Sequence, residues 1–241
     1  MRISKLLSRG LMALCMVGVL AMTGCGATDG GTDSDVDTSS DLTEESGNLT
    51  DSSDGENRGA ASEGKSATGY SFNGKSFVIT LYPEIAPVTC ANFQKLVEQG
   101  FYNGLTFHRV VDAFMAQGGD PLGNGTGGSE ETIKGEFSSN GVDNGISHQR
   151  GVVSMARSQD PDSASSQFFI CYTDCSFLDG DYAAFGEVTE GMEVVDGFLE
   201  VPRSYGGDGA LSSPDTPIIM DKVEMIDPDE NGNPRVQVTM K

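Results

Sequence analysis

The sequence predicts a mainly β domain, an antiparallel barrel closed on itself and accompanied by two helices. Three observations carry that prediction. Short runs of β-branched and aromatic residues recur between turn signals, only two stretches keep helical spacing, and no solenoid or propeller repeat is visible.

The elements follow in order. Phe77-Val78-Ile79-Thr80-Leu81-Tyr82 has strand composition and follows the turn-forming Asn73-Gly74. Pro87 suits the first turn of a helix, Phe93, Leu96 and Val97 recur at helical spacing, and Gly100 is a stop. Phe107–Val111 is the next strand, and Gly118–Gly128 (GGDPLGNGTGG) reads as a glycine-dense loop. Those glycines match neither a dinucleotide nor a phosphate-loop fingerprint. Gly151–Ala156, Gln167–Cys171 and Ala183–Val188 are further strands, Met192, Val195 and Phe198 mark a second short helix, and Ile218–Ile226 is the last core strand. Val201–Pro217 and the tail Asp227–Lys241 receive no assignment.

Composition changes sharply before this domain. Residues 1–24 carry Arg2, Lys5 and Arg9, no acid, and the apolar run Leu11–Met22. That run is short of the roughly 20 residues a bilayer-spanning helix needs, and the pattern is that of an export signal. Met22-Thr23-Gly24-Cys25 resembles the lipobox of bacterial lipoproteins, which implies that Cys25 is acylated and becomes the mature N-terminus. Residues 25–69 are rich in Asp, Ser, Thr, Gly and Glu, with eleven acids against Arg58 and Lys65. Such a segment cannot bury enough surface to offset its ordering entropy and reads as a disordered tether. Its span is on the order of 35–40 Å.

Residues 70–241 form one domain with 25 acids against 10 bases, net −15, which argues against nucleic acid and against direct docking to anionic lipid. Its three cysteines, Cys90, Cys171 and Cys175, give no disulfide framework and read as small buried hydrophobes. An extended Cys171–Cys175 segment separates the pair by about 13 Å, so only a turn brings them within bridging distance. His108 and His148 are too few for a zinc site, no GxSxG elbow is present, and no Ser/His/acid set is evident. Asp227–Gly232 matches the first half of a calcium loop, but Val238 stands where a bidentate Glu belongs. No metal or cofactor is expected.

One stretch is chemically out of place. FHRVVDAFMAQGGD (107–120) is mostly apolar yet carries Arg109 and Gln117. Together with NGTGG (124–128), GVVSMAR (151–157), SSQFFI (165–170) and LDGDYAAFGEV (178–188), it resembles the cyclophilins, the peptidyl-prolyl isomerases. The likeness runs from about residue 72 to 226. It implies an eight-stranded antiparallel barrel, capped by two helices, with a substrate groove on its outer face. By the same resemblance Arg109 is the catalytic arginine. Phe114, Met115, Phe169 and Leu178 receive the proline ring, Gln117 and Gln167 form its polar rim, and Ala156 and Arg157 hold the peptide. Gly125 and Thr126 belong to the neighbouring loop.

The chemistry explains these residue types. An X-Pro amide has cis and trans forms of comparable energy, separated by about 18–20 kcal/mol. At the top of that barrier resonance is lost and the prolyl nitrogen regains a lone pair. A donor aimed at it stabilises the twisted amide over both planar forms. Arginine stays charged and its fork can be held rigidly, and Gln117, on the face of Met115 if that segment is extended, can brace it.

Two departures from the family pattern stand out. Phe177 occupies the position of a tryptophan common in the family, and Tyr182 that of the pocket histidine after LDG. The first implies weak cyclosporin binding, the second an altered preference for the residue before proline. The reading is therefore a monomeric isomerase, lipid-anchored at the extracytoplasmic face of the cell membrane. Its partners are proline-containing segments of exported proteins. Its alternatives are a proline-peptide-binding chaperone module with little turnover, and an adhesin built on the same barrel.

Overall fold

Residues 71–241 are described by the computed structural model; the expected export signal, lipidated Cys25 and acidic tether lie outside the described residues. The chain enters the first strand, β1 (Ser76–Leu81), through Gly74, whose φ of 74° a residue with a side chain adopts only at a cost. Helix α1 (Pro87–Glu98) opens on its proline and buries Cys90, Phe93, Leu96 and Val97. Ala86 offers it no side-chain cap, and the carboxylate of Glu136 accepts the amides of Val88 and Thr89 instead.

Strands β2 (Thr106–Val111), β3 (Met115–Asp120), β4 (Val152–Met155), β5 (Phe168–Cys171) and β6 (Ala184–Glu190) follow, then helix α2 (Met192–Asp196). A hairpin of β7 (Arg203–Tyr205) and β8 (Leu211–Pro214) precedes β9 (Met220–Ile226) and β10 (Arg235–Met240). All strands of the main sheet pair antiparallel, in the order β2-β3-β5-β4-β6-β1-β10-β9.

Three expectations are corrected. The sheet is an open, curled half-barrel, not a closed barrel. Its edges β2 and β9 touch only at their starts, around the isolated bridge Thr106 to Ile219, with bonds from Gly104 N to Met220 O (2.7 Å), Met220 N to Leu105 O (2.9 Å) and Phe107 N to Ile218 O (2.9 Å). Beyond Phe107 the β7–β8 hairpin lies beside β2, so no continuous ladder joins the two edges. Gly118, Gly119 and Asp120 belong to β3 rather than to a loop. A Cβ on Gly119 (φ 80°) would lie 2.5 Å from the Ser166 carbonyl, so glycine serves close strand packing there. The tail, left unassigned, supplies β10, which pairs with both β1 and β9.

Register separates core from site. Val110, Ala116, Ile170 and Val153 stand opposite one another across β2, β3, β5 and β4, and all four join the main core. Their neighbours Arg109, Gln117, Phe169 and Ser154 make the parallel row across the same four strands. Because side chains alternate, this second row lies on the opposite face.

Candidate active site

The outer-face row begins at Arg109, directly opposite Gln117. Arg109 Nη1 lies 3.5 Å from Gln117 Oε1 and 3.8 Å from Met115 Sδ. The guanidinium carbon stands 5.9 Å from the centroid of the Phe114 ring. Gln117 Nε2 donates to Gln167 Oε1 at 2.9 Å, and Gln167 Nε2 donates to the carbonyls of Gly125 (3.1 Å) and Gly127 (2.7 Å). A chain of amides thus links the arginine to the glycine loop.

That loop is folded around Asp120, which accepts the amides of Leu122, Asn124 and Gly125 at 2.6 to 3.0 Å. Burial acts to raise the Asp120 carboxyl, but these backbone donors outweigh it and hold the group below the ordinary carboxylate range. Gly125 and Thr126 are therefore presented by a buried anion rather than by regular structure.

Beside the arginine, Met115, Ala156, Phe169, Cys171, Cys175 and Leu178 form an apolar cluster separate from the main core, with Val111, Phe114 and Tyr182 packed against it. Phe169 and Met115 are fully buried, and a 3-10 turn at Ser176–Leu178 brings Leu178 onto them. Phe177 points away and is 65% exposed, its ring 5.7 Å from that of Phe114. Arg157 lies 4.8 Å from the Tyr182 ring centroid and 5.1 Å from that of Phe137, and its Nε donates to the Asp181 carbonyl.

A cleft of about 710 Å³ runs along this face. Arg109, Gln117, Gly125, Thr126, Ala156, Arg157 and Gln167 line it, whereas Phe114, Met115, Phe169, Leu178, Phe177 and Tyr182 do not. The residues singled out in the sequence thus form a polar cleft and an adjoining apolar cluster. Ala156 belongs to both, and Arg109 stands where they meet. This arrangement can hold an apolar ring against one strong donor, with backbone and amide groups along one side.

Two features escaped the sequence. Asp208, from the unassigned stretch, accepts Arg109 Nε at 2.6 Å, both side chains being largely buried. Burial tends to raise the Asp208 carboxyl, but the Arg109 donor, with Ala210 N and Ser212 Oγ, brings it below the ordinary range. A Ser/His/acid set does exist, in space: His148 Nδ1 lies 2.8 Å from Asp179 Oδ1, and Nε2 lies 2.9 Å from Ser154 Oγ. Ser154 is fully buried, and the His148 ring stacks on Phe169 at 6.0 Å. This set therefore supports the floor of the cluster and presents no nucleophile. Among the described residues no group of three His, Cys, Asp or Glu side chains could hold a metal ion, and no helix is long and apolar enough to cross a membrane.

The profile of the family described as cyclophilin type peptidyl-prolyl cis-trans isomerase/CLD matches residues 68–225. Peptidyl-prolyl cis-trans isomerase B of Bacillus subtilis (strain 168) is 47% identical over 128 residues, covering 52% of this chain and 86% of the relative. A peptidyl-prolyl cis-trans isomerase of Helicobacter pylori (strain J99) is 44% identical over 126 residues, covering 52% and 75%. The crystal structure of a Cryptosporidium parvum cyclophilin type peptidyl-prolyl cis-trans isomerase, in the presence of the dipeptide Ala-Pro, aligns with a TM-score of 0.53 at 30% identity, covering 60% of this chain and 88% of that one. The outer-face arginine, its amide chain and the apolar cluster all fall within the matched residues, and the chain belongs to the cyclophilin-type peptidyl-prolyl cis-trans isomerase family.

Proposed function

We infer that this protein catalyses cis-trans isomerisation of X-Pro bonds in other polypeptides. The observation that carries the reading is the position of Arg109 at the junction of the apolar cluster and the polar cleft, between Met115 Sδ and Gln117 Oε1. A proline ring seated against Phe114, at the edge of the apolar cluster that Met115, Phe169 and Leu178 fill, places its nitrogen within reach of the guanidinium. The donor then stabilises the pyramidal nitrogen of the twisted amide, an effect worth about 3–4 kcal/mol, or a hundredfold or more in rate. No bond is made or broken, so the site needs only shape and one directed donor. The relative crystallised with Ala-Pro supports proline-containing peptides as the substrate class.

The reading extends to location. The basic, apolar start, Cys25 and the acidic tether support a lipid-anchored enzyme acting on exported proteins at the extracytoplasmic face of the membrane. The domain is proposed to act as a monomer.

The test is cis-trans exchange in an Ala-Pro peptide followed by NMR, with wild type and Arg109→Ala. Fast exchange lost in the variant is expected. A well-folded wild type that binds the peptide saturably without accelerating exchange would instead identify a binding module. Globomycin-sensitive processing and labelling of Cys25 with a palmitate analogue tests the anchor; secretion of an unlipidated protein would overturn it.

A further inference from the structure

Arginine carries five N–H donors and no acceptor, so what occupies each edge of Arg109 decides which donors remain for a ligand. Its Nε edge is taken by Asp208 Oδ2 at 2.6 Å. Arginine and carboxylate often pair through two parallel bonds, but here the second oxygen is already occupied. Asp208 Oδ1 accepts Ala210 N at 3.0 Å and Ser212 Oγ at 2.9 Å. Asp208 thus grips the arginine through one oxygen. Nη1 leans on Gln117 and Met115, and Nη2 has no hydrogen-bond partner among the described residues. The terminal nitrogens are left to the cleft that Arg109 lines.

The carboxylate reaches this position because β8 lies beside β2 and the loop between β7 and β8 turns back over the edge strand. Asp208 itself is only 8% exposed at its side chain and fully bonded, which fits an anchor better than a ligand for solvent cations. An anionic neighbour weakens the field that Arg109 projects on a substrate, so its benefit lies in orientation. A long, rotamer-rich side chain is fixed before the substrate arrives.

We propose that Asp208 is a positioning residue for isomerisation: its one-oxygen contact with Nε aims the Nη groups of Arg109 at the prolyl nitrogen. The proposal rests on the isomerase reading above. Because the aimed donor acts on the twisted amide, loss of Asp208 lowers kcat rather than peptide affinity.

The experiment measures exchange of an Ala-Pro tetrapeptide by NMR over a range of peptide concentrations, for wild type, Asp208→Ala, Asp208→Asn and Ser212→Ala. The Arg109 Nε–H resonance is recorded for each protein. In Asp208→Ala, kcat falls about tenfold with KM within about twofold, and the Nε–H signal moves and exchanges faster with solvent. In Asp208→Asn the single oxygen serves Arg109 or the Ala210 amide but not both, and kcat falls between. Ser212→Ala loosens Asp208 without touching Arg109 and gives a smaller kcat fall with the same spectral change, which keeps the test available if Asp208→Ala does not fold. Folded variants with wild-type kcat, or with a loss confined to KM, would overturn the proposal alone. A wild type without catalysis, seen before any variant is compared, would overturn the isomerase reading and this proposal with it.

Discussion

Thr89 gives both its amide, at 2.8 Å, and its hydroxyl, at 2.6 Å, to one carboxylate oxygen of Glu136, a residue only 3% exposed. The other oxygen accepts Val88 N at 3.0 Å, so a distant segment caps α1 where Ala86 cannot. Glu136→Ala leaves the amide and hydroxyl of Thr89 buried without a partner and removes the acceptor of the Val88 amide. It should lower stability by about 3 kcal/mol in urea unfolding, more than loss of an ordinary surface cap. A loss under about 1 kcal/mol would mean that water reaches the helix start.

Acid should weaken the fold in two separate windows. Burial depresses His148 below its ordinary 6.5 despite the Asp179 carboxylate, and burial depresses His108 likewise, with Asp120 raising it and Arg109 lowering it. The folded state therefore refuses protons that the unfolded chain takes up. Stability is unaffected above the ordinary histidine range, falls as pH drops through 6.5, and stops falling below the folded values. The depressed carboxyls of Asp120, Asp179 and Asp208 act in the same direction at lower pH. Their contribution is present above 3.8 and is lost as pH falls through their lower folded values. Urea midpoints from pH 8 to 3 should show both steps, and His148→Asn should shrink the first. A midpoint flat between pH 7 and 5 would contradict the burial of both rings.

Cyclosporin binding should be weak and recoverable. Phe177, which the resemblance sets where the family commonly carries a tryptophan, is 65% exposed, with its ring 5.7 Å from that of Phe114. Phe177→Trp adds an indole N–H donor and a larger face at the rim. Titration should give an affinity gain of about tenfold, roughly 1.4 kcal/mol, with isomerisation little changed. Tight binding by the wild type would show that the indole is dispensable here.

Thiol reagents should find the native domain inert. Cys90, Cys171 and Cys175 are free and fully buried. Burial pushes the Cys90 thiol up to about 12, and a hydrogen bond with Cys175, together with burial, holds Cys171 well above its ordinary range. Maleimide labelling at pH 7 should modify all three only after denaturation. Rapid native labelling at Cys175 would reveal opening of the turn over the apolar cluster.

Much of this was legible in the sequence, for reasons that separate particular residues. Phe107–Val111 and Gln167–Cys171 announce themselves by β-branched and aromatic runs, and Pro87 with Phe93, Leu96 and Val97 by helical spacing. Strand β10 carries a signal of the same kind. Val236, Val238 and Met240 alternate with Arg235, Gln237 and Thr239, a period of two that follows an Asx-rich turn resembling half a calcium loop. Gly118 and Gly119 resemble loop glycines in sequence, yet in β3 the Phe107 ring and the Ser166 carbonyl leave no room for a side chain. Asp208 and the Ser154–His148–Asp179 set carry no local signal. Asp208 stands 99 residues from Arg109 and Asp179 stands 31 from His148, and the packing of loops against the sheet brings them together.

The place of β10 bears on where the domain can be cut. The family match stops at residue 225, inside β9, so a chain trimmed there would look whole by likeness. It would nonetheless lack the strand that bridges β1 and β9. Two ladders of unpaired amides and carbonyls would face solvent, flanked by Phe77, Ile79 and Val223, an invitation to sheet-to-sheet association between copies. During synthesis the same condition holds until residues 235–240 have emerged. The sheet cannot be completed before then, and a nascent polypeptide would need shelter for as long as that edge stays open.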